Sequence, residues 1–358
     1  MKIQDFISNS DQLMKGETKW LAPSNIALVK YWGKENNQLP KNPSISFTLS
    51  NCVSETKLIF EPKKRNKELV NYSFFFEGKY RKDFNKKIEL FFSRVYKYVP
   101  WIKNYNFIIN SKNSFPHSSG IASSASSMAS LSLCIMDIER IMFPKMSLNY
   151  FNNKASFLGR LGSGSASRSI KGPICIWGAT KSFDKSNDYY AVEFGQNLHE
   201  IFKTYRDTIL IIDNNKKKVS SSKGHELMLS HPFSKQRFIQ AKKNTKLLIS
   251  ILKNGDLENF ISIVESEALT LHALMMTSKP NYILMNPGTL NVIYKIIDYR
   301  ETTKTPICFS LDAGPNVHLL YPNSFSTEIL NFINEELLTY CKEGKFIFDK
   351  VGMGAKKN

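Results

Sequence analysis

Three ionisable residues in unusual company set the chemical question. Lys30 interrupts an apolar run, NIALVKYW at Asn25 to Trp32; Arg168 closes the small-residue stretch GSGSASR; Asp312 ends an apolar segment just before Ala313-Gly314-Pro315-Asn316. Each has an ordinary use and a chemical one. A lysine in such a run either snorkels to the surface or faces a buried anion. An aspartate at this kind of boundary either caps its turn through Asx-type hydrogen bonds or presents its carboxylate to a cleft. An arginine beside serines forms a surface ion pair, or clamps a carboxylate or phosphate in its planar fork. Tyr31 and Lys34, where the first run exits, offer a hydroxyl and a charge to a phosphorylated ligand, or simply pack and solvate.

Phosphate is a natural anion for this set because of FPHSSGIASSASSMAS, Phe115 to Ser130. Its Ser, Ala and Gly residues run directly into Met128, Leu131, Leu133 and Ile135, so the serines lead into a buried helix. A helix N-terminus carries unpaired N–H groups and the positive end of its dipole, which suits an anion; a serine-rich capping turn is the plainer reading. A second Ser/Gly loop, GSGSASRS, spans Gly162 to Ser169. There is no GxSxG elbow, Walker loop or GxGxxG fingerprint. The six histidines are isolated, which argues against a metal cluster; His272, in LTLHALMM, reads as a core residue, while His117 and His225 fall in polar loops within reach of ligands.

The totals limit what can hold these residues in place. At 358 residues the chain fits about two domains meeting at a cleft. A hydrophobic share of 42% with no run long enough to span a bilayer, and an N-terminus without signal-peptide character, predict a soluble cytoplasmic protein with no membrane partner. Five scattered cysteines suggest core filling and neither a disulfide framework nor a zinc module. The net charge of +18 is carried mostly by lysines in short surface runs, without a nucleic-acid-binding module, so nucleic acid is not an expected partner.

Period-two and period-3.6 patterns then give the positioning elements. Strands are predicted at Asn25–Trp32, Ser44–Leu49, Glu55–Phe60, Tyr72–Phe76 and Phe107–Asn110, the middle ones as an antiparallel region. Helices follow over Asp83–Val99, after the serine loop, and over Tyr150–Leu161; Pro173–Trp177 returns as a strand. From Thr208 the second half reads strand, helices near Ser234–Lys253, Leu257–Met276 and Asn291–Arg300, strands Ile307–Leu311 and Val317–Tyr321, a helix Phe325–Cys341 and a strand Phe346–Lys350. The expected fold is α+β, antiparallel sheets covered by helices, divided into residues 1–203 and 204–358.

Five stretches, in order and spanning nearly the whole chain, carry a family resemblance: NIALVKYWGK at Asn25 to Lys34, SSGIASSASS at Ser118 to Ser127, GSGSASRS at Gly162 to Ser169, KKVSSSKG at Lys217 to Gly224 and SLDAGPNVHL at Ser310 to Leu319. Together they resemble diphosphomevalonate decarboxylase, a family of the GHMP kinase superfamily. The resemblance implies a two-domain GHMP kinase-like fold with its active site in the cleft between domains, commonly in a homodimer. It implies ATP-dependent decarboxylation of mevalonate 5-diphosphate to isopentenyl diphosphate through phosphorylation of the 3-hydroxyl, with ATP as co-substrate and Mg2+. Asp312, Arg168 and Lys30 take the catalytic roles. Tyr31, Lys34, Ser163, Ser165 and Ser221, with Arg168, are implied to bind substrate. Ser118, Ser119, Gly120, Ala122, Ser123, Ser124 and Ser126 are implied to bind ATP, with Ser123 or Ser124 near the metal. The chain departs from the family at His225, where methionine is frequent, and at Asn42-Pro43-Ser44, where Asn-Ser-Ser is common. A decarboxylase of mevalonate 5-phosphate, or a small-molecule kinase of the superfamily, would use much the same loops. A non-enzymatic polyanion-binding protein is the alternative resting on charge alone.

Overall fold

A computed structural model describes residues 3–63, 70–116, 121–195, 197–213 and 221–358, the side chains of Ser221 and Ser222 excepted. The chain opens on β1 (Gly16–Val29), then β2 (Ser44–Pro62), β3 (Asn71–Phe76), β4 (Lys79–Tyr80), α1 (Asn85–Val95) and β5 (Tyr105–Asn113). Two helices follow, α2 (Ser123–Met142) and α3 (Leu148–Gly162), then β6 (Ile174–Trp177), β7 (Val192–Glu193) and α4 (Glu200–Lys203). The second half runs β8 (Arg206–Leu210), α5 (Ser221–Leu227), α6 (Ser234–Asn254), α7 (Leu257–Met276), α8 (Pro287–Thr303), β9 (Cys308–Leu311), β10 (Val317–Tyr321), α9 (Ser326–Phe332), β11 (Phe346–Lys350) and β12 (Lys356–Lys357).

Two sheets result, with helices against them. The first has the order β12-β1-β2-β5-β3-β4, with β6 pairing β2 and β7 pairing β6; the second has the order β11-β8-β10-β9. Serine and threonine hydroxyls fasten α2 to the first sheet: Ser126 pairs with Ser54 and Ser130 with Thr56, each at 2.6 Å, and Thr18 donates to Asp137. Small polar residues on this helix thus let it approach the strands closely while each buried hydroxyl keeps a partner. A large apolar core lies between α1, α2, α3 and the first sheet, and a third core, including Phe309, Leu319 and Phe332, supports the second sheet. Between them a shared core joins Ile26, Phe47 and Ile176 to Tyr205, Leu248 and Phe260, so the halves meet on apolar surface.

The chain beyond Lys350 crosses back: Val351 bridges to Leu49, Gly354 to Lys171, and β12 pairs with β1 at Trp20 and Leu21. Asp349 secures the crossing, its carboxylate accepting from the backbone N–H groups of Ser50, Asn51 and Cys52 at 3.0, 2.8 and 2.7 Å. All five cysteines are buried and free, as their scatter suggested.

Several expectations need correction. The strands read at Ser44–Leu49 and Glu55–Phe60 are one long strand that pairs with β1 on either side of a register shift, while the N–H groups of Ser50, Asn51 and Cys52 at that shift are taken up by the Asp349 carboxylate. β1 starts nine residues before Asn25 and ends at Val29, so Lys30, Tyr31 and Trp32 lie beyond it. β3 pairs with β5 in parallel, so the region is not wholly antiparallel. The helix expected over Phe325–Cys341 is α only to Phe332, then widens to a π turn over Ile333–Leu337 and tightens over Leu338–Tyr340.

Candidate active site

The three ionisable residues converge. One pocket is lined by Asn25, Lys30, Tyr31, Ser165, Arg168, His225 and Asp312, among others. Its walls come from the end of β1, the tight helical turn Gly164–Ser169, α5, and the segment after β9. GSGSASRS is therefore no open loop. Gly164 lets that turn reach Tyr31: a Cβ there would lie 2.7 Å from the tyrosine hydroxyl.

Lys30 does not snorkel. Its side chain is 1% exposed, and Nζ donates to the Ala27 carbonyl at 2.6 Å and the Ser310 hydroxyl at 2.9 Å. Burial pulls the ammonium down to about 8, while the Asp312 and Glu267 carboxylates pull it back up. Beneath it lies a buried clamp. Arg237 makes a two-pronged ion pair with Glu267 at 2.8 and 2.6 Å; Glu267 accepts from the Lys30 N–H at 2.9 Å, and Arg237 donates to the Lys30 carbonyl at 3.0 Å. Both peptide groups flanking the Lys30 Cα are thereby fixed from α6 and α7. Asn244 completes the cluster by donating to Glu267 at 2.7 Å.

Arg168 is no surface ion pair. It is 2% exposed, its guanidinium lies 5.8 Å from the centre of the Trp177 ring, and Nη2 donates to Asn25 at 3.4 Å. Among the described residues Nε and Nη1 have no partner. Burial lowers this guanidinium to about 10, with the Asp312 carboxylate opposing the shift. A buried cation with vacant donors is costly unless an anion satisfies it. Asn25, which also donates to the Ser169 hydroxyl at 2.8 Å, orients it.

Asp312 does not cap its turn with its side chain. The Gly314 N–H donates instead to the Asp312 carbonyl at 2.7 Å, and His272 Nε2 donates to the same carbonyl at 3.1 Å. The half-buried carboxylate is left to the pocket it helps to line. Tyr31 presents a buried hydroxyl without a partner among the described residues, and Lys34 is half-buried.

The combination reads as an anion pocket with one carboxylate facing two buried cations. The chain's domain signatures agree. The diphosphomevalonate decarboxylase-like N-terminal domain matches residues 22–190, and the mevalonate 5-diphosphate decarboxylase C-terminal domain matches residues 208–353. This chain belongs to the diphosphomevalonate decarboxylase family. A diphosphomevalonate decarboxylase of Ganoderma lucidum is 28% identical over 333 residues, covering 87% of this chain and 80% of that one. A mevalonate diphosphate decarboxylase from Staphylococcus aureus superposes with a TM-score of 0.78 at 27% identity, over 96% of this chain and 98% of the other. A solved structure described as MDDEF in complex with MVAPP, AMPPCP and magnesium gives 0.81 at 25% identity, over 96% and 99%. The fold is thus the GHMP-type fold of these decarboxylases.

The residues expected at the nucleotide are only partly among the described ones. Ser118, Ser119 and Gly120 lie outside the described residues, as does His117. Ala122, at φ 43°, turns the chain into α2, and no side chain caps the helix start. Those uncapped N–H groups at Ser123 and Ser124 suit a phosphate. Ser124 donates to Ser163 at 3.0 Å and Ser163 meets Ser165 at 3.4 Å, a row of hydroxyls linking the two serine stretches. Ser126, in contrast, is fully buried against Ser54, its hydroxyl also bonded to the Ser123 carbonyl; its place is the helix–sheet interface and not the loop. No group of three or more His, Cys, Asp or Glu able to hold a metal occurs among the described residues. A magnesium ion would rest on the nucleotide's own phosphate oxygens and a serine hydroxyl, a donor set that suits this hard cation.

Sequence reasoning missed Asn25 as a positioning residue and the Arg237–Glu267 clamp, neither of which had a signal in the sequence. His225, read as within reach of ligands, does line the pocket, but it lies buried in α5 and not in a polar loop. Among the described residues no helix is long and apolar enough to cross a membrane.

Proposed function

We propose that this chain catalyses the ATP-dependent decarboxylation of mevalonate 5-diphosphate to isopentenyl diphosphate, releasing ADP, phosphate and carbon dioxide. The observation that carries the reading is the buried Arg168 guanidinium with two vacant donors, sharing one pocket with Asp312 and Lys30. Arg168 holds the substrate carboxylate in its fork. Asp312 accepts the proton of the 3-hydroxyl as that oxygen attacks the γ-phosphorus of ATP. Lys30, a buried cation that interacts electrostatically with Asp312, offsets the negative charge gathered at the reacting oxygen. The phosphorylated oxygen then leaves, positive charge develops at C3, and the carboxylate's C–C bonding electrons complete the double bond as carbon dioxide departs.

Tyr31, Lys34, Ser163 and Ser165 grip the diphosphate, joined by Ser221 from the start of α5. Ser118, Ser119 and Gly120, with Ala122, Ser123 and Ser124, hold the ATP phosphates at the α2 N-terminus. Magnesium, near Ser123 or Ser124, neutralises phosphate charge when bound. The protein acts in the cytoplasm as a homodimer built of an N-terminal domain, 1–203, and a C-terminal domain, 204–358. Light scattering on the purified protein tests the dimer, and a mass of one 41.0 kDa chain refutes it.

The substrate-pair assay tests the reaction. The protein with ATP and magnesium releases carbon dioxide from mevalonate 5-diphosphate, and Asp312→Ala abolishes the release. Turnover of the 5-phosphate with none of the diphosphate would move the chain to the sister activity, and a stable phosphorylated product without gas would make it a kinase.

A further inference from the structure

His225 lies where the pocket meets α5. Its ring sits against Tyr31, centres 4.2 Å apart, and Trp32, 4.8 Å apart, and it is 7% exposed. Gly224 makes this approach possible, since a Cβ there would stand 2.5 Å from the Trp32 ring. The Gly33 N–H donates to His225 Nδ1 at 3.0 Å, so that nitrogen presents its lone pair. In the neutral imidazole the proton therefore resides on Nε2. Burial, with Lys34 and then Arg168 adding to it, lowers the ring to about 3, so it stays uncharged at physiological pH.

The surroundings say what such a donor is for. Tyr31 and Lys34, the groups assigned above to the diphosphate, are respectively a ring packed against it at a tilt of 41° and the strongest charge acting on it. A third full cation here would add repulsion, whereas a neutral N–H adds a directed hydrogen bond without that cost. Resting on the reaction proposed above, we infer that His225 is a specificity residue for the phosphorylated end of the substrate, giving its Nε2–H to a phosphate oxygen while Gly33 fixes the tautomer.

Calorimetric titration of mevalonate 5-diphosphate into the full-length protein without ATP tests this directly. His225→Phe keeps an aromatic ring against Tyr31 and Trp32 and removes the donor; its Kd rises by about tenfold, the loss of one hydrogen bond to a charged group. His225→Gln, which restores an N–H, recovers most of that loss. Equal Kd values for the wild type and both variants would overturn the inference. So would imidazole 15N shifts in the wild type that put the proton on Nδ1, a readout independent of how the variants fold. The reaction itself is judged separately by carbon dioxide release from the wild type: gas with unchanged variant affinities sinks only the role of His225, whereas no gas sinks the reaction.

Discussion

Replacing Lys30 by methionine separates its electrostatic cost from its chemical use. The ammonium is 1% exposed and its pKa is lowered from 10.5 to about 8. At about 1.4 kcal/mol per pH unit, keeping it charged inside the fold costs about 3 kcal/mol. Methionine removes that cost and fills similar volume, but abandons the hydrogen bonds to Ala27 and Ser310, at about 1 kcal/mol each. The two sides nearly cancel, so Lys30→Met at pH 7 differs from the wild type by less than about 2 kcal/mol. Activity does not cancel. Without the cation beside Asp312, carbon dioxide release falls by at least about 100-fold, the equivalent of about 3 kcal/mol.

The pH dependence has a definite sign. Below about 8 the lysine is protonated folded and unfolded, and the burial cost is fully present. Between about 8 and 10.5 the folded state sheds the proton while the unfolded chain keeps it, so this group makes stability rise with pH. Urea denaturation of wild type and variant at pH 7, 8, 9 and 10 measures the difference. It grows in favour of the wild type above pH 8. A difference flat across that window, or a variant at full rate, would refute the reasoning.

Other perturbations address the remaining supports. Arg168→Gln removes a buried cation with vacant donors, so its melting temperature does not fall while kcat/KM drops by about 10- to 100-fold; a large loss of stability with activity kept would contradict the pocket's reading. Glu267→Ala leaves Arg237 buried and unpaired, and loses about 3–5 kcal/mol in chemical denaturation; a loss below 1 kcal/mol would show that the clamp carries little. Asp349→Ala strips a carboxylate from four backbone donors, three of them across the crossing, and costs about 3 kcal/mol, seen as a lower denaturation midpoint with faster exchange of the Ser50, Asn51 and Cys52 amides; unchanged amide protection would count against it.

The sequence by itself determined the strong periodicities. α7, β10 and β11 have the bounds that the sequence predicted: α7 buries one helical face, and β10 is a short apolar run buried along its whole length. It also isolated Lys30 and Asp312, since a charged residue inside or at the edge of an apolar run carries a cost that asks for a reason, and Arg168, whose fork closes a Ser/Gly stretch suited to an anion. What it left open was the choice between ordinary and chemical roles, and tertiary structure decided that. Whether Lys30 snorkels depends on α6 and α7, whose Glu267 and Arg237 lie more than 200 positions away and hold its backbone inside. Whether Arg168 finds a carboxylate at the surface depends on Trp177 and Asn25 closing over it. The return of Asp349 to Cys52, the parallel pairing of β3 with β5, and the burial of His225 behind Trp32 are equally non-local. Local spacing reports which face of an element is apolar; it carries no record of which distant element covers that face, and the pocket is made where those coverings leave polar groups unpaired.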